Sequence, residues 1–428
     1  MSAPRWLFLT LLACLILAVS AAPSASTFVL TQASWNFTFS LNVDKNSDDI
    51  YFRLVSSADY AWASVGIGSQ MGGSLMFVAY EGKDSKAVTI SPRIASGNVE
   101  PTYAPNINVT LEPGSGILDN RFVVNARCTN CRSWAGGSLD VKSKDQPFIY
   151  AWGPSWSFIS TDSKSANMQR HSQYGFFDMD MTQASSGDAG VPEGTQNSGA
   201  SKIGDTRNDL NFPLSIHTLT MFGSFVILFP MGALFIRVIS KVKLHYITQS
   251  FSLAIVFFGL ATGIQLSKLF NMTRNFRTSH QILGLVLIGF LIIQWVLGYV
   301  HHREYLRTQH RSVYSEAHLW LGRLVIISGV LNAFLGLHLA GRSTLGFLLI
   351  VLIVTGIFAV IYFVIWSRSR RKRSALGSNR ATNFRDDDPS SLGNSRMDIP
   401  LTDHAAPPAY QEDYVRPPPG SPPNRNRI

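Results

Sequence analysis

The middle of the chain alternates long apolar stretches with short polar loops. About 20 helical residues, rising 1.5 Å each, cross a hydrocarbon core of about 30 Å, and five stretches have this length. The pattern therefore predicts an all-α transmembrane bundle within residues 211–366. Its five predicted helices cover residues 213–238, 247–266, 281–300, 319–339 and 345–366.

Residues 26–181 show a different pattern, in which short apolar and polar alternations are separated by Gly, Pro, Asn, Asp and Ser. Many short strands at such spacing are typical of an all-β sandwich. The chain is thus predicted to be multidomain, with the sandwich preceding the bundle. The predicted strands cover residues 34–43, 50–55, 62–66, 75–80, 88–91, 122–126 and 148–152.

Two segments lack such patterns. Residues 182–210 are rich in Gly, Ser, Asp and Asn, which predicts a flexible linker. Residues 367–428 are polar and rich in proline and charge, which predicts a disordered tail. Within that tail, the sequence Pro407-Pro408-Ala409-Tyr410 is a candidate ligand for a WW-type module, and a chance match in an inert tail is the alternative.

The first 22 residues predict the orientation of the chain. Arg5, an apolar run over residues 7–19 and small residues at 20–22 form the pattern of a cleaved signal peptide. The sandwich is then extracellular and the tail cytosolic, in an integral protein of the secretory pathway, which we place in the plasma membrane. Lys and Arg are more frequent in the predicted cytosolic loops, as this orientation requires. Candidate glycosylation sites are Asn36, Asn108 and Asn271.

Composition agrees with a partly embedded protein, because 46% of residues are hydrophobic and only 15% are charged. The net charge of +10 does not require nucleic acid, since much of the excess follows the last apolar stretch, between Arg368 and Arg373. A basic cluster there marks the cytosolic side of the membrane. Lipid, rather than nucleic acid, is the expected partner of this surface.

Four histidines lie at the ends of predicted helices. With the N-terminus outside, His217 and His280 fall near the outer face, and His245 and His318 fall near the inner face. Such residues can sit in the headgroup region with no further role. Two sided pairs, however, match the pairs of axial imidazoles that hold haem iron. They predict two haems, one near each surface.

An internal repeat supports this interpretation. His280, Gly284, Gln294 and Gly298 recur as His318, Gly322, Asn332 and Gly336, at a constant offset of 38 residues. A glycine one turn after each histidine predicts a bare helix face against which a porphyrin can lie. Because the two helices run in opposite directions, each amide is predicted at the depth of the other haem.

The segments "IHTLTMFGSFVILFPMGALFIR", "LHYITQSFSLAIVFFG", "SHQILGLVLIGFLIIQWVLGYVHHREY" and "HLWLGRLVIISGVLNAFLGL" resemble the core helices of the cytochrome b561 family. The resemblance implies two b-type haems with the pairing given above. It also implies a transmembrane oxidoreductase of the ferric-reductase or ascorbate-radical-reductase type, with a cytosolic reductant such as ascorbate. Candidate contacts of an anionic donor are Lys241, Lys243 and Arg311, although these charges also serve as topology signals.

Two stretches of the sandwich carry candidate ligands. Met71 lies in the glycine-rich turn of "WASVGIGSQMGGSLMFVAY", and His171 precedes a short apolar strand in "MQRHSQYGFFDMDM". Taken alone, each has an ordinary explanation as a surface residue. Together with "RCTNCRSWAGG", they resemble the cytochrome domain of cellobiose dehydrogenase, a member of the DOMON sandwich family. That resemblance implies a third haem b, with Met71 and His171 as its axial ligands.

Cys128 and Cys131 form a C-x-x-C sequence in the predicted extracellular domain. A small structural disulfide is the favoured interpretation, because the thioredoxin-like context and further zinc ligands are missing from the sequence. The whole chain is then predicted to pass electrons from the cytosol to an external acceptor, such as ferric iron, a quinone, a radical or a copper oxidase. The alternative is a ligand- or carbohydrate-binding sandwich that uses the bundle as an anchor.

Overall fold

The structure, a computed structural model, describes residues 25–185 and 188–383, with side chains up to Arg368. It contains an N-terminal β-sandwich followed by five long apolar helices, which confirms the predicted fold class. The predicted signal peptide and the Pro407–Tyr410 motif lie outside the described residues.

The sandwich consists of two antiparallel sheets. The first has the strand order β1-β2-β3-β10-β8, with β9 also paired to β10, and the second has the order β15-β14-β13-β4-β5-β6-β7. All seven predicted strands are present, with shifted ends. The strands are β1 Ser26–Thr31, β2 Asn36–Val43, β3 Ile50–Ser57, β4 Ala63–Ile67, β5 Leu75–Glu81, β6 Val88–Ile94, β7 Thr102–Tyr103, β8 Asn108–Leu111, β9 Gly116–Leu118, β10 Arg121–Thr129, β11 Ser133–Trp134, β12 Gly137–Ser138, β13 Gln146–Trp152, β14 Gln173–Met179 and β15 Ala200–Asn208.

Aromatic side chains join the two sheets. Phe52 of β3 stacks on Phe77 of β5 with ring centroids 4.5 Å apart, and both rings are fully buried. Fully burying one such side chain stabilises the fold by about 1.5–3 kcal/mol. A second, smaller apolar cluster contains Trp62, Met76 and Met168, and Met71 packs against it. The sandwich therefore has an apolar cluster beside Met71 in addition to its main core.

The prediction of a flexible linker at residues 182–210 is wrong at both the start of that segment and its later part, where regular structure forms. A short helix covers Met181–Ala184, and β15 pairs antiparallel with β14. The Tyr150 and Thr206 hydroxyl groups lie 2.7 Å apart and further attach β15 to the sheet. The strand escaped prediction because it is an edge strand with mostly exposed, polar side chains, so its sequence lacks the alternation that a half-buried strand shows.

The five helices cover Phe212–Val238, Val242–Leu269, Ser279–Thr308, Val313–Leu339 and Leu345–Asn383. Each is longer than its prediction, since polar residues at the ends continue the helical hydrogen bonding. The fifth helix thus enters residues 367–428, which were predicted to be disordered, and the rest of that tail is not described. Arg and Lys after the apolar stretch explain the continuation, because both are good helix formers.

The first helix contains a π-helical turn at Gly223–Leu228. Pro230 follows it and lacks the N–H that an α-helix would use at that position, which accounts for the local change in hydrogen bonding. The turn buries Phe225, and a Cβ atom added at Gly329 of the fourth helix would collide with its ring.

The chain divides into two compact units. One contains the residues up to Leu219 with Phe258–Ile288 and Leu331–Thr344, and the other contains Thr220–Phe257, Gly289–Val330 and the residues from Leu345. The first unit includes the sandwich together with the helix ends that carry His217 and His280. The second unit includes His245 and His318.

Candidate functional site

Within the first unit, the structure brings His217 and His280 together. Their ring centroids are 6.1 Å apart and the rings are nearly perpendicular, at 88°. His217 Nδ1 lies 2.8 Å from the Gly259 carbonyl oxygen, and His280 Nδ1 lies 2.9 Å from the Asn332 carbonyl oxygen. Each ring is therefore held by the backbone of a neighbouring helix.

The second unit repeats this arrangement with His245 and His318. Their ring centroids are 6.4 Å apart at an interplanar angle of 85°. His245 Nδ1 lies 2.7 Å from the Gly232 carbonyl oxygen, and His318 Nδ1 lies 3.1 Å from the Gln294 carbonyl oxygen. The pairing predicted from helix direction is the pairing that the structure shows.

Both pairs have the chemistry of a bis-imidazole metal site. A carbonyl at Nδ1 fixes the proton on that nitrogen, which makes Nε2 the nitrogen that carries the lone pair. Ligating histidines usually have such a second contact. Two imidazoles that would each bind one metal ion through Nε2 at about 2 Å would have ring centres about 6 Å apart, which agrees with the 6.1 and 6.4 Å between these rings. The residues present fit a haem with two axial histidines.

Glycines of the neighbouring helices make room for three of the rings. A Cβ atom would lie 2.7 Å from His217 if added at Gly263, 2.8 Å from His280 at Gly336, and 2.9 Å from His318 at Gly298. Ordinary contacts begin at about 3.4 Å. No larger residue fits at these positions without displacing an imidazole.

The repeat of the third and fourth helices has a direct structural meaning. Asn332 provides the carbonyl for His280, and Gln294 provides the carbonyl for His318 and donates its side-chain amide to the His318 carbonyl at 2.8 Å. Each amide residue thus lies beside the histidine of the other helix, as the opposite helix directions predicted.

Gly284 and Gly322, one turn after the histidines, were predicted to leave a bare helix face, and the structure differs there. A Cβ atom at Gly284 would lie 3.2 Å from Asn332 Nδ2, and one at Gly322 would lie 2.7 Å from Gln294 Nε2. Amide side chains therefore cover the faces that were predicted to be bare. Within the described part of the chain, Gln294 Oε1 and Asn332 Oδ1 are buried without a hydrogen-bond partner. Buried polar atoms of this kind fit a site that a polar or charged group completes.

The structure places His301, which follows the predicted third helix, beside the inner pair. Its ring stacks on that of His318 with centroids 6.4 Å apart and an angle of 24°. The third helix continues to Thr308, and this extension carries His301 towards His318. The helix was predicted to end at residue 300, so this contact had no counterpart in the sequence analysis.

The candidate donor contacts lie on exposed ends of the second unit. Lys241 and Lys243 are exposed, and Arg311 lies 3.9 Å from Glu316. An exposed pair at this distance contributes little to stability. The structure leaves their role in donor binding a prediction.

In the sandwich, a separate set of contacts holds the Met71 turn. Trp134 donates its indole N–H to the Gly73 carbonyl at 2.8 Å, and Gly73 N–H bonds the Ala95 carbonyl at 2.9 Å. A Cβ atom at Gly136 would lie 3.1 Å from Gly73 Cα, so the two backbones are in close contact. The segment that follows the cysteines therefore braces the turn. Sequence reasoning had not assigned any role to Trp134.

His171 lies beside Asp209, a residue that was predicted to belong to the linker. His171 Nδ1 lies 3.0 Å from Asp209 Oδ2, at an angle unsuited to a hydrogen bond, while Arg170 makes two hydrogen bonds to the same carboxylate. Burial lowers the pKa of His171, and the Asp209 charge acts in the opposite direction. A neutral imidazole beside a carboxylate fits the donor set of a metal ligand.

The remaining predicted sites are the disulfide and the three glycosylation sites. The sulfur atoms of Cys128 and Cys131 are placed at bonding distance, with Cα atoms 5.6 Å apart, a separation usual for a disulfide. Asn36 and Asn108 are exposed, and Asn271 is half-buried. Their glycosylation stays a prediction.

Comparison with known families gives one match for the sandwich and one for the helical bundle. Residues 24–188 match the family described as the cytochrome domain of cellobiose dehydrogenase, and residues 216–344 match eukaryotic cytochrome b561. The chain joins regions similar to two cytochrome families. Met71 and His171 lie within the cytochrome-domain-like region, and the four bundle histidines lie within the b561-like region.

Solved structures resemble the cytochrome-domain-like region. The cytochrome b domain of pyranose dehydrogenase from Coprinopsis cinerea is 18% identical, covering 37% of this chain and 83% of its own, with a TM-score of 0.32. The cytochrome domain of Myriococcum thermophilum cellobiose dehydrogenase is 17% identical, covering 38% and 86%, also with a TM-score of 0.32. No curated protein was found to match the chain.

Both matched families bind haem b. Their combination with five helices long and apolar enough to cross a membrane supports an integral membrane protein of electron transfer.

Proposed function

We propose that the chain carries electrons across the membrane from a cytosolic reductant such as ascorbate to an external acceptor. The route runs from His245 and His318 to His217 and His280, and then to Met71 and His171. Haem b, when bound at these three pairs, supplies reversible one-electron chemistry at iron. The external acceptor is of the class of ferric iron, a quinone, a radical or a copper oxidase.

The observation that carries the proposal is the matched geometry of the two histidine pairs. Ring centroids lie 6.1 and 6.4 Å apart, and all four Nδ1 atoms lie 2.7–3.1 Å from backbone carbonyl oxygens. Histidines that merely sit at helix ends have no reason to share both features. The carbonyls keep each ring oriented and protonated at Nδ1, which preserves Nε2 for the iron.

The protein contributes orientation and exclusion of water at each pair. Close packing of Gly263, Gly298 and Gly336 against the rings limits their rotation. In the sandwich, Asp209 lies beside His171 and Trp134 holds the Met71 turn. Charged loops at the cytosolic end, with Lys241, Lys243 and Arg311, attract an anionic donor by their charge.

The proposal is tested by counting haem in the purified full-length protein, from spectra of the oxidised and dithionite-reduced forms. We expect three haems b per chain, with one lost in each of the variants His280→Ala, His318→Ala and Met71→Ala. The matched control is His310→Ala, which removes an exposed histidine of the loop before the fourth helix and should leave three.

A functional assay completes this test. Proteoliposomes loaded with ascorbate should reduce an external ferric chelate, and His245→Ala should abolish this reduction. A colourless protein would contradict the proposal and support the sensor alternative. An unchanged protein that holds only two haems, both of them retained in Met71→Ala, would remove the sandwich from the route.

A further inference from the structure

Glu100, in the segment between β6 and β7, is a buried carboxylate with 8% of its surface exposed. Its Oε1 accepts a hydrogen bond from the Met168 N–H at 2.8 Å, and its Oε2 accepts one from the Asn271 N–H at 2.8 Å. Its own N–H donates to the Leu269 carbonyl at 2.8 Å. A carboxylate is buried only where such partners replace water.

The two partners of this carboxylate belong to functionally distinct segments. Met168 is three residues before His171, and Asn271 lies in the loop between the second and third helices, just before the helix that begins with His280. All of these residues belong to the first compact unit. The Glu100 side chain therefore connects the segment that precedes His171 with the loop that precedes the helix carrying His280.

Further contacts surround this bridge. Asn167 Nδ2 lies 3.5 Å from Met272 Sδ in the same loop. The loop between the fourth and fifth helices contributes Arg342, whose guanidinium carbon lies 3.7 Å from the centre of the Trp156 ring. A cation over an aromatic face at this distance is an attractive contact. Two loops of the bundle thus hold the sandwich around the segment that precedes His171.

We propose that Glu100 is a positioning residue that fixes the His171 segment against the outer loop of the bundle, forming the joint through which electrons leave the membrane. This inference rests on the proposed function. His217 with His280, and Met71 with His171, would hold the two haems on either side of this joint; one electron would leave the first centre, which is oxidised, and enter the second, which is reduced. Because electron transfer slows steeply with distance, loosening the joint should slow this step without removing any ligand.

The test uses the full-length protein in lipid nanodiscs and two readouts. The first is cross-linking of the double variant Asn167→Cys with Met272→Cys by a short bis-maleimide reagent, measured as cross-linked peptide after proteolysis and independent of haem. The second is the rate at which the sandwich haem is reduced after the bundle receives electrons from ascorbate. Both are measured with and without Glu100→Ala, and the matched control is Glu193→Ala, which removes an exposed carboxylate of the sandwich.

We expect the cysteine pair to cross-link readily, and Glu100→Ala to slow both cross-linking and reduction of the sandwich haem by about tenfold, as the loss of two charge-assisted bonds implies. Glu193→Ala should change neither rate. Failure of the cysteine pair to cross-link in the otherwise unchanged protein would overturn the inference even if Glu100→Ala does not fold. Unchanged rates in a folded Glu100→Ala protein that retains its haems would overturn it as well. A protein that cross-links through this pair but lacks the third haem would refute the proposed route instead.

Discussion

The close approach of Gly336 to His280 gives a steric test of the outer histidine pair. In Gly336→Ala, the new Cβ atom would lie 2.8 Å from Cε1 and 3.0 Å from Nδ1 of the imidazole, where ordinary contacts begin at 3.4 Å. The ring cannot simply rotate away, because its Nδ1 is held 2.9 Å from the Asn332 carbonyl oxygen. The substitution must displace either the imidazole or the helix by about half an ångström.

Overpacking of this size costs about 1–3 kcal/mol in a well-packed interior. Because about 1.4 kcal/mol corresponds to a factor of ten, we expect haem affinity at the outer pair to fall by a factor of about 5 to about 150. The inner pair should keep its haem. Gly298→Ala should have the converse effect, since its Cβ atom would lie 2.9 Å from Cε1 of His318.

The assay is haem content per chain, combined with a redox titration that resolves the individual haems. Gly289→Ala is the control, because an added Cβ atom there has nothing within 4 Å. That change should be neutral or stabilise the third helix by up to about 1 kcal/mol, as alanine favours helix more than glycine does. If Gly336→Ala and Gly289→Ala retained haem equally, the imidazole would not be held as the structure indicates, and the reasoning would fail.

Two further predictions concern the sandwich. Trp134→Phe removes the 2.8 Å hydrogen bond to the Gly73 carbonyl. We expect the free energy of unfolding in denaturant to fall by about 1–3 kcal/mol and haem to be retained less well at Met71. Trp156→Phe is the control and should change neither the free energy of unfolding nor haem retention. Asp209→Asn removes the negative charge beside His171, so the ferric form should lose stabilisation and the midpoint potential of the sandwich haem should rise by about 59 mV for each tenfold change in relative affinity. Spectroelectrochemistry measures this potential, and no rise would contradict the role given to Asp209.

The bundle could be predicted from the sequence because its signals are long and redundant. Apolar length fixed the number of helices, and helix direction sorted His217 with His280 and His245 with His318. Neither step depended on side-chain contacts. The structure adds what no periodicity can express, namely that each Nδ1 meets a backbone carbonyl of a neighbouring helix. The contact of His301 with His318 was missed because the third helix ends at Thr308, more than two turns beyond its predicted end at residue 300.

The sandwich was predictable only where strands are half-buried. β15 carries mostly exposed polar side chains. It joins the second sheet through backbone pairing with β14, and such pairing does not appear as a hydrophobic pattern in the sequence. Asp209 follows this strand, and its role was therefore missed with it. Trp134 and Glu100 were missed for a different reason. Trp134 acts through one hydrogen bond and the Glu100 carboxylate through two, all to distant backbone groups, and such contacts between residues far apart in sequence have no local signature.

The repeat of the third and fourth helices explains why the two histidine pairs have the same supporting contacts. In each helix the residue 14 positions after the histidine supplies the carbonyl that orients the histidine of the other helix, and the glycine four residues beyond it packs against that same ring. Because the helices run in opposite directions, each therefore furnishes a ligand at one end and the support for a ligand at the other. A change that shifts one helix along its axis must disturb both histidine pairs together, whereas a change at one glycine disturbs one pair alone. This coupling gives the 14-residue spacing within each helix a physical reason, since an insertion between the histidine and the amide residue of one helix would separate a histidine from its carbonyl.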